Sequence, residues 1–295
     1  MKAGSSINLP TDMDDEVALA DWLEATMLVE SRSYMARARI RKYIKSLFAD
    51  DEPDVSVEML LREIRRRHRH CAHGYPFEEQ TSGVRYKQSK TGVPYLFMLC
   101  MSVSRPYRNE RRQSDTEELF DLLVLDALKR YLGTGSDGVR FGVPASGGRP
   151  KNFQEAISWL AQKMKLPTGT GQPRKTGGDG GLDVVAWRPF RDHRSGYLAL
   201  LAQCTVQQDW FIKAKDITED IWRSWIDFGK DPHLVLAIPF IIPHSYEKWD
   251  ELRRLIHTVL DRMRLAELLE DSRIQRERDI QSWIASEVRR MESAT

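Results

Sequence analysis

Gly177-Gly-Asp-Gly-Gly-Leu-Asp-Val-Val-Ala-Trp187 is the stretch on which the fold turns, and twenty residues after Asp183 it is answered by Gln203-Cys-Thr205. Glycines crowd its first half, which marks irregular, tightly turning backbone. Its second half, residues 182–187, is apolar and strand-like. Asp183 is an ionisable side chain at the head of that apolar run, a costly position unless a partner or a cation meets it. A second apolar run, Tyr197-Leu-Ala-Leu-Leu-Ala-Gln-Cys-Thr205, follows the turn-like Arg188-Pro-Phe-Arg-Asp-His-Arg-Ser-Gly196, so the two pair as a hairpin. Side chains alternate along a strand, which puts Gln203 and Thr205 on one face and Cys204 on the other. The start of the first strand then lies beside the end of the second, and Asp183 and Gln203 become cross-strand neighbours. Two oxygen donors side by side, next to a glycine-rich loop, suit a hard cation.

Outward from this hairpin the chain alternates helices and strands. A helix over residues 152–165 carries Phe153, Ile157, Leu160 and Met164 on one side. Residues 115–131 read as a helix capped by Ser114 or Asp115 and stopped by Gly133. After the hairpin come a helix over residues 217–228, an apolar run over 233–242, and helices over 246–263 and about 265–291. Helix, strand, strand, helix, strand is the order of an α/β core. Of the eight tryptophans, Trp159, Trp187, Trp210, Trp222 and Trp225 read as core residues. Toward the N-terminus, residues 15–49 and 55–70 read as helices, and residues 94–104 as a buried strand or a buried helical turn. Residues 105–113 are polar and basic and read as a linker, so the expected division is a mainly helical module, 1–112, and an α/β domain, 113–295.

The Gly-Asp-Gly-Gly-Leu-Asp183 turn and the strand ending in Gln203-Cys-Thr205 resemble the PD-(D/E)xK nuclease superfamily, most closely its Mrr-like restriction endonuclease branch, in which Gln replaces the usual acid. The likeness covers roughly residues 153–242. It implies a restriction-endonuclease-like α-β-β-β-α-β core, with the helical N-terminal module and C-terminal helices added. It also implies a Mg²⁺-dependent DNA endonuclease, Mn²⁺ being able to substitute, in restriction or antiphage defence. By the same resemblance Asp183, Gln203 and Glu155 are the metal-binding residues, joined by the Cys204 backbone carbonyl. One position departs from the pattern: Thr205 stands where the family has its lysine, and a threonine cannot supply that charge to a developing anion. Lys213 or Lys215, in Trp210-Phe-Ile-Lys-Ala-Lys215, is then the displaced lysine, with Lys213 preferred. The alternative is a catalytically silent subunit that keeps the fold for binding nucleic acid or for assembly. DNA is the implied partner, alone or with a partner defence protein, and the resemblance allows oligomers.

The remaining features bound these expectations. The chain has 295 residues, 41% of them hydrophobic and 30% charged, with a formal charge of +2. That balance hides an asymmetry. Residues 1–30 hold one base against seven acids, and residues 31–112 hold 18 bases against nine acids. A near-neutral chain can therefore still present a basic face to a polyanion. The basic run Arg65-Arg-Arg-His-Arg69 is a candidate for phosphate contact. His68-Arg-His-Cys-Ala-His73 reads as a basic helix end, since a structural zinc site needs a second ligand pair that does not follow. Gly171-Gln-Pro-Arg-Lys-Thr176 lacks the glycine and the preceding strand of a phosphate-binding loop, and Asp179 reads as a loop residue. Three scattered cysteines, Cys71, Cys100 and Cys204, point to a reducing cytoplasm. A polar opening and apolar runs far short of about 20 residues predict neither a signal peptide nor a membrane span.

Overall fold

A computed structural model describes residues 15–48, 53–104, 110–171, 180–192, 194–271 and 273–293. The N-terminal elements are α1 (Glu16–Val29), β1 (Tyr34–Ala36), α2 (Arg37–Phe48), α3 (Pro53–Cys71), β2 (Phe77–Gln80), β3 (Gly83–Tyr86) and α4 (Val93–Val103). There follow α5 (Glu110–Leu132), β4 (Asp137–Arg140), α6 (Phe153–Met164), β5 (Val184–Trp187), β6 (Ala199–Cys204) and α7 (Trp210–Lys213). The rest is α8 (Glu219–Trp225), β7 (His233–Ala237), α9 (Trp249–Leu255), β8 (Thr258–Leu260), α10 (Arg262–Leu269) and α11 (Glu277–Ser293). The strands form two sheets, ordered β1-β3-β2 and β4-β5-β6-β7-β8, so the chain is mixed α/β. Among the described residues no helix is long and apolar enough to cross a membrane.

Two compact units share the chain. One comprises Met1–Arg108, Pro239–Pro243 and Arg262–Thr295; the other comprises Asn109–Ile238 and His244–Asp261. The first crossing lies near the expected division at residues 112 and 113. The C-terminal helices, expected to extend the 113–295 domain, instead belong with the N-terminal helices. Their side chains give the reason: Trp283 of α11 packs edge-on against Phe97 of α4 at 4.9 Å, and Arg262 of α10 is clasped by Asp21 of α1.

That clasp is part of a buried charge network in the first unit. Arg262 donates two hydrogen bonds to the Asp21 carboxylate, at 2.7 and 2.8 Å, and one to the Pro239 carbonyl at 2.8 Å. Arg67 of α3, fully buried, donates to Asp21 at 2.6 Å, to Glu24 at 2.9 Å and to Glu63 at 2.8 Å. The hydroxyls of Tyr75 and Tyr95 complete the shell around Glu24 at 2.5 and 2.7 Å. Burial raises the Asp21 carboxyl, but the two guanidiniums outweigh it and leave its pKa lowered; Glu24, more deeply enclosed, is raised. The basic run of α3 is largely consumed by such pairs, since Arg65 binds Glu79 and Arg66 binds Glu63.

Three local expectations in this unit are corrected. The helix expected over 15–49 breaks at Ser31, whose φ of 51° is left-handed, and β1 intervenes before α2. Serines flank the break, and these weak helix formers favour turns. The undecided run over 94–104 is the buried helix α4, entered through Pro94 in its first turn, where a missing N–H costs nothing. The hairpin β2-β3, absent from the sequence reading, pairs antiparallel through Glu79↔Val84 across a short turn.

In the second unit β4, β5 and β6 are antiparallel neighbours, through Val139↔Val185 and Val185↔Leu201, with α6 between β4 and β5 in the chain. The next strands are parallel, β6 to β7 through Leu201↔Leu234 and β7 to β8 through Val235↔Thr258. Parallel neighbours need a crossover, which α7 and α8 and then α9 provide. Buried on both faces, β5 and β6 read as continuous apolar runs. Helix α5 packs across β4, β5 and β6. It begins at Glu110, five residues ahead of Asp115, so Ser114 and Asp115 lie inside the helix and do not cap it. Residues 105–109 of the expected linker lie outside the described residues. Strand β4 follows the helix stop at Gly133, where no strand is expected, and β8 interrupts the helix expected over 246–263, where β-branched Thr258 and Val259 favour extended backbone.

Two predictions follow from buried charge and from the β7–β8 edge. Arg262→Met leaves Asp21 with one cationic partner and is expected to cost about 3–5 kcal/mol of stability in chemical denaturation. The rings of His233 and His257 stack at 4.7 Å, and burial, with His257 adding to it, lowers the His233 pKa. Folding thus disfavours protonated His233, so stability is lost as pH falls through the unfolded value of about 6.5. Between pH 7.5 and 5.5 the melting temperature of the wild type is expected to drop more than that of His233→Gln.

Candidate active site

The Asp183 backbone is held before its side chain acts. Gly180 and Gly181, at φ of 65° and 75°, turn the chain into β5 through a left-handed pair that residues with a Cβ enter only with strain. The Trp222 indole N–H donates to the Gly180 carbonyl at 3.3 Å and anchors the turn. The Asp183 carbonyl then accepts from the amides of Phe141 and Gly142, at 2.6 and 3.0 Å, and its own amide donates to Ala202 at 3.0 Å. The register ends at Val184↔Ala202, and Asp183, one residue before it, meets the end of β6 through the Ala202 carbonyl and the Cys204 amide, in the neighbourhood of Gln203. The glycine-rich stretch before it, including Asp179, lies outside the described residues.

Strand ends from β4, β5 and β6 and the first half of α5 enclose a cavity of about 490 Å³. Asp183, Gln203, Cys204, Thr205 and Lys213 line it, as do Glu117, Asp121 and Asp216. The Asp183 carboxylate accepts the Cys204 amide at 2.8 Å. One donor atom from each of Asp121, Asp183 and Cys204 lies within 4.8 Å of the other two. The donor that Cys204 brings to this group is its sulfur, whereas the sequence reading expects its backbone carbonyl. Gly142 keeps the space between the carboxylates open: a Cβ there would sit 3.0 Å from Asp183 Oδ1 and 3.2 Å from Asp121 Oδ2.

Cations meet carboxylates on both sides of the cavity. Arg140 at the end of β4, buried, donates to Asp121 at 2.9 Å and to the Pro144 carbonyl at 2.6 Å. Burial pushes the Asp121 carboxyl well above the usual carboxylate range, and the Asp183 charge adds to this against the pull of Arg140. Burial likewise raises the Cys204 thiol, with the Asp121 and Asp183 charges adding to the effect. Across the cavity, Asp216 accepts from Lys213 Nζ at 2.9 Å and from Gln203 Nε2 at 3.3 Å. That bond orients the amide, because its oxygen would meet the Asp216 carboxylate in the flipped arrangement. Gln203 Oε1 is left buried with no hydrogen-bond partner among the described residues.

Two sequence-derived candidates lie elsewhere. Glu155 is exposed near the start of α6, three residues after Asn152, whose side chain accepts the Glu155 amide at 3.1 Å. An acid is favoured there by the helix end alone, and it does not line the cavity. The helix acids that do are Asp121 and Glu117 on α5, which the sequence reading missed. The available signal was Asp121 itself, at helical spacing with buried Val124, Leu125 and Leu128. Lys215 is exposed and away from the cavity, whereas Lys213 reaches it. Thr205 is buried, and its hydroxyl accepts the Gln207 amide at 3.2 Å, closing a turn.

Comparison with family models, with curated proteins and with solved structures finds no match to this chain.

Arg140→Met strips the cation from the buried Asp121 and is expected to destabilise the chain by about 3–5 kcal/mol in urea denaturation. Adding Asp121→Leu to it is expected to restore part of that loss.

Proposed function

We propose that the unit comprising Asn109–Ile238 and His244–Asp261 is a Mg²⁺-dependent endodeoxyribonuclease domain of restriction-endonuclease-like fold. The observation that carries this reading is the convergence on one cavity of two carboxylates, Asp121 and Asp183, an unpartnered amide oxygen on Gln203, and the Lys213 ammonium. The chain order α5-β4-α6-β5-β6-α7-α8-β7, with β7 parallel to β6, carries the elements that the sequence resemblance implies once α6, between β4 and β5, is counted as an addition.

The donor set fits the cation. Asp121 and Asp183 offer hard oxygens, and Gln203 Oε1 is a buried acceptor with no hydrogen-bond partner among the described residues. These three would hold Mg²⁺, which when bound supplies Lewis acidity toward a phosphodiester and lowers the pKa of water. Arg140 neutralises part of the carboxylate pair, so a divalent cation tips the inner cluster to positive, the sign that attracts a phosphate. Lys213 carries the ammonium that Thr205 lacks and faces negative charge developing on the phosphate. Asp216 is a positioning residue, since it holds both the Lys213 ammonium and the Gln203 amide.

Nicking of supercoiled plasmid in Mg²⁺ or Mn²⁺ tests the reading. Asp183→Asn and Asp121→Asn are expected to abolish cleavage, and Lys213→Ala to slow it by roughly 10²–10³-fold. Glu155→Gln and Lys215→Ala are expected to cut at the wild-type rate. A wild-type chain that binds the plasmid and leaves it intact in both cations overturns the enzymatic reading in favour of a silent nucleic-acid-binding role.

A further inference from the structure

We propose that Cys204 makes this same cavity an inhibitory site for thiophilic divalent cations, with Zn²⁺ as the prime case, bound through the Cys204 sulfur and the Asp121 and Asp183 carboxylates. What is inhibited rests on the nuclease reading, but the binding itself stands on the geometry alone.

The donor chemistry points this way. A thiol has no part in holding Mg²⁺, a hard cation that takes oxygen ligands, whereas zinc accepts sulfur and carboxylate oxygen together. The Cys204 sulfur is grouped with both carboxylates inside 4.8 Å. An independent observation lies in the same cavity wall: Gln203 Oε1, on a side chain 6% exposed, is an acceptor with no hydrogen-bond partner among the described residues. The other cysteines are not arranged in this manner. Cys71 and Cys100 are fully buried in the other unit, where the Cys71 thiol donates to the Met263 carbonyl at 3.2 Å.

Charge explains why such binding silences the site. A thiolate beside the two carboxylates brings one more negative charge to a bound cation than an uncharged thiol does, so the loaded cluster attracts a phosphodiester less, and the protein sulfur takes a coordination position that water or phosphate would otherwise fill. When the metal binds, one metal–sulfur bond forms, the S–H bond breaks and its proton passes to the buffer; no electron is transferred.

The test uses the full chain, freed of metal and titrated with Co²⁺ as a spectroscopic probe and with Zn²⁺ in weak buffer. The wild type is expected to develop a thiolate-to-cobalt charge-transfer band and to release a proton on binding Zn²⁺. Cys204→Ser is expected to lose the band and to bind Zn²⁺ at least about tenfold more weakly. Circular dichroism checks its fold, and Cys204→Ala replaces it if serine is not tolerated. A wild type without the band at saturating Co²⁺, or a band undiminished in both Cys204 variants, overturns the proposal. Neither readout needs cleavage. A Cys204-dependent band on a chain that never nicks DNA sinks the nuclease reading alone, and a nicking chain whose band ignores Cys204 sinks this inference alone.

Discussion

Burying a carboxylate costs several kcal/mol unless a cation is buried with it, and both units are organised around that requirement. In one, Arg67 and Arg262 bring together α1, α3 and α10 by answering Asp21 and Glu24, while Glu63 is shared between Arg67 and Arg66. In the other, Arg140 fixes the end of β4 against α5 because Asp121 must be answered. The two solutions differ in setting. Around Asp21 and Glu24 the arginines and the Tyr75 and Tyr95 hydroxyls knit helices together, whereas the Arg140–Asp121 pair stands beside a cavity that Asp183 also lines.

The fold of the site was legible to the extent that short-range pattern determines it. An acid heading an apolar run, followed at hairpin distance by Gln203, was enough to place Asp183 in the neighbourhood of Gln203, because strand alternation and antiparallel register follow from backbone geometry. The helix acid was beyond that reach. Glu155 stands at the expected place in chain order, but it occupies the first turn of a helix, where acids sit for reasons of capping. Asp121 has no motif around it. Its importance comes from the packing of α5 across three strands, a long-range fact that a linear reading does not contain.

The missed strands share one cause. Strands β1 and β8 have three residues each and β4 has four, too few for an alternation to stand out, and each is set by the strand beside it. Where propensity and partner disagree, pairing decides. That is why the helical pattern over 246–263 gives way at Thr258, whose neighbour β7 offers a parallel edge. It is also why the apolar run that enters α4, with no strand to complete, stays helical.

The path of the chain between the units sets an order of assembly. Residues 15–103 hold most of the first unit, yet Asp21 waits for Arg262, and Phe97 for Trp283. On a ribosome the first half emerges with part of its core unsealed and its buried acids only partly answered. The intervening sheet unit has all its strands once Leu260 is made, so it is equipped to fold while the earlier-made unit is still incomplete. The latest-made helices close the earliest-made part of the molecule. A chain cut short before α10 would therefore lose the integrity of its beginning along with its end.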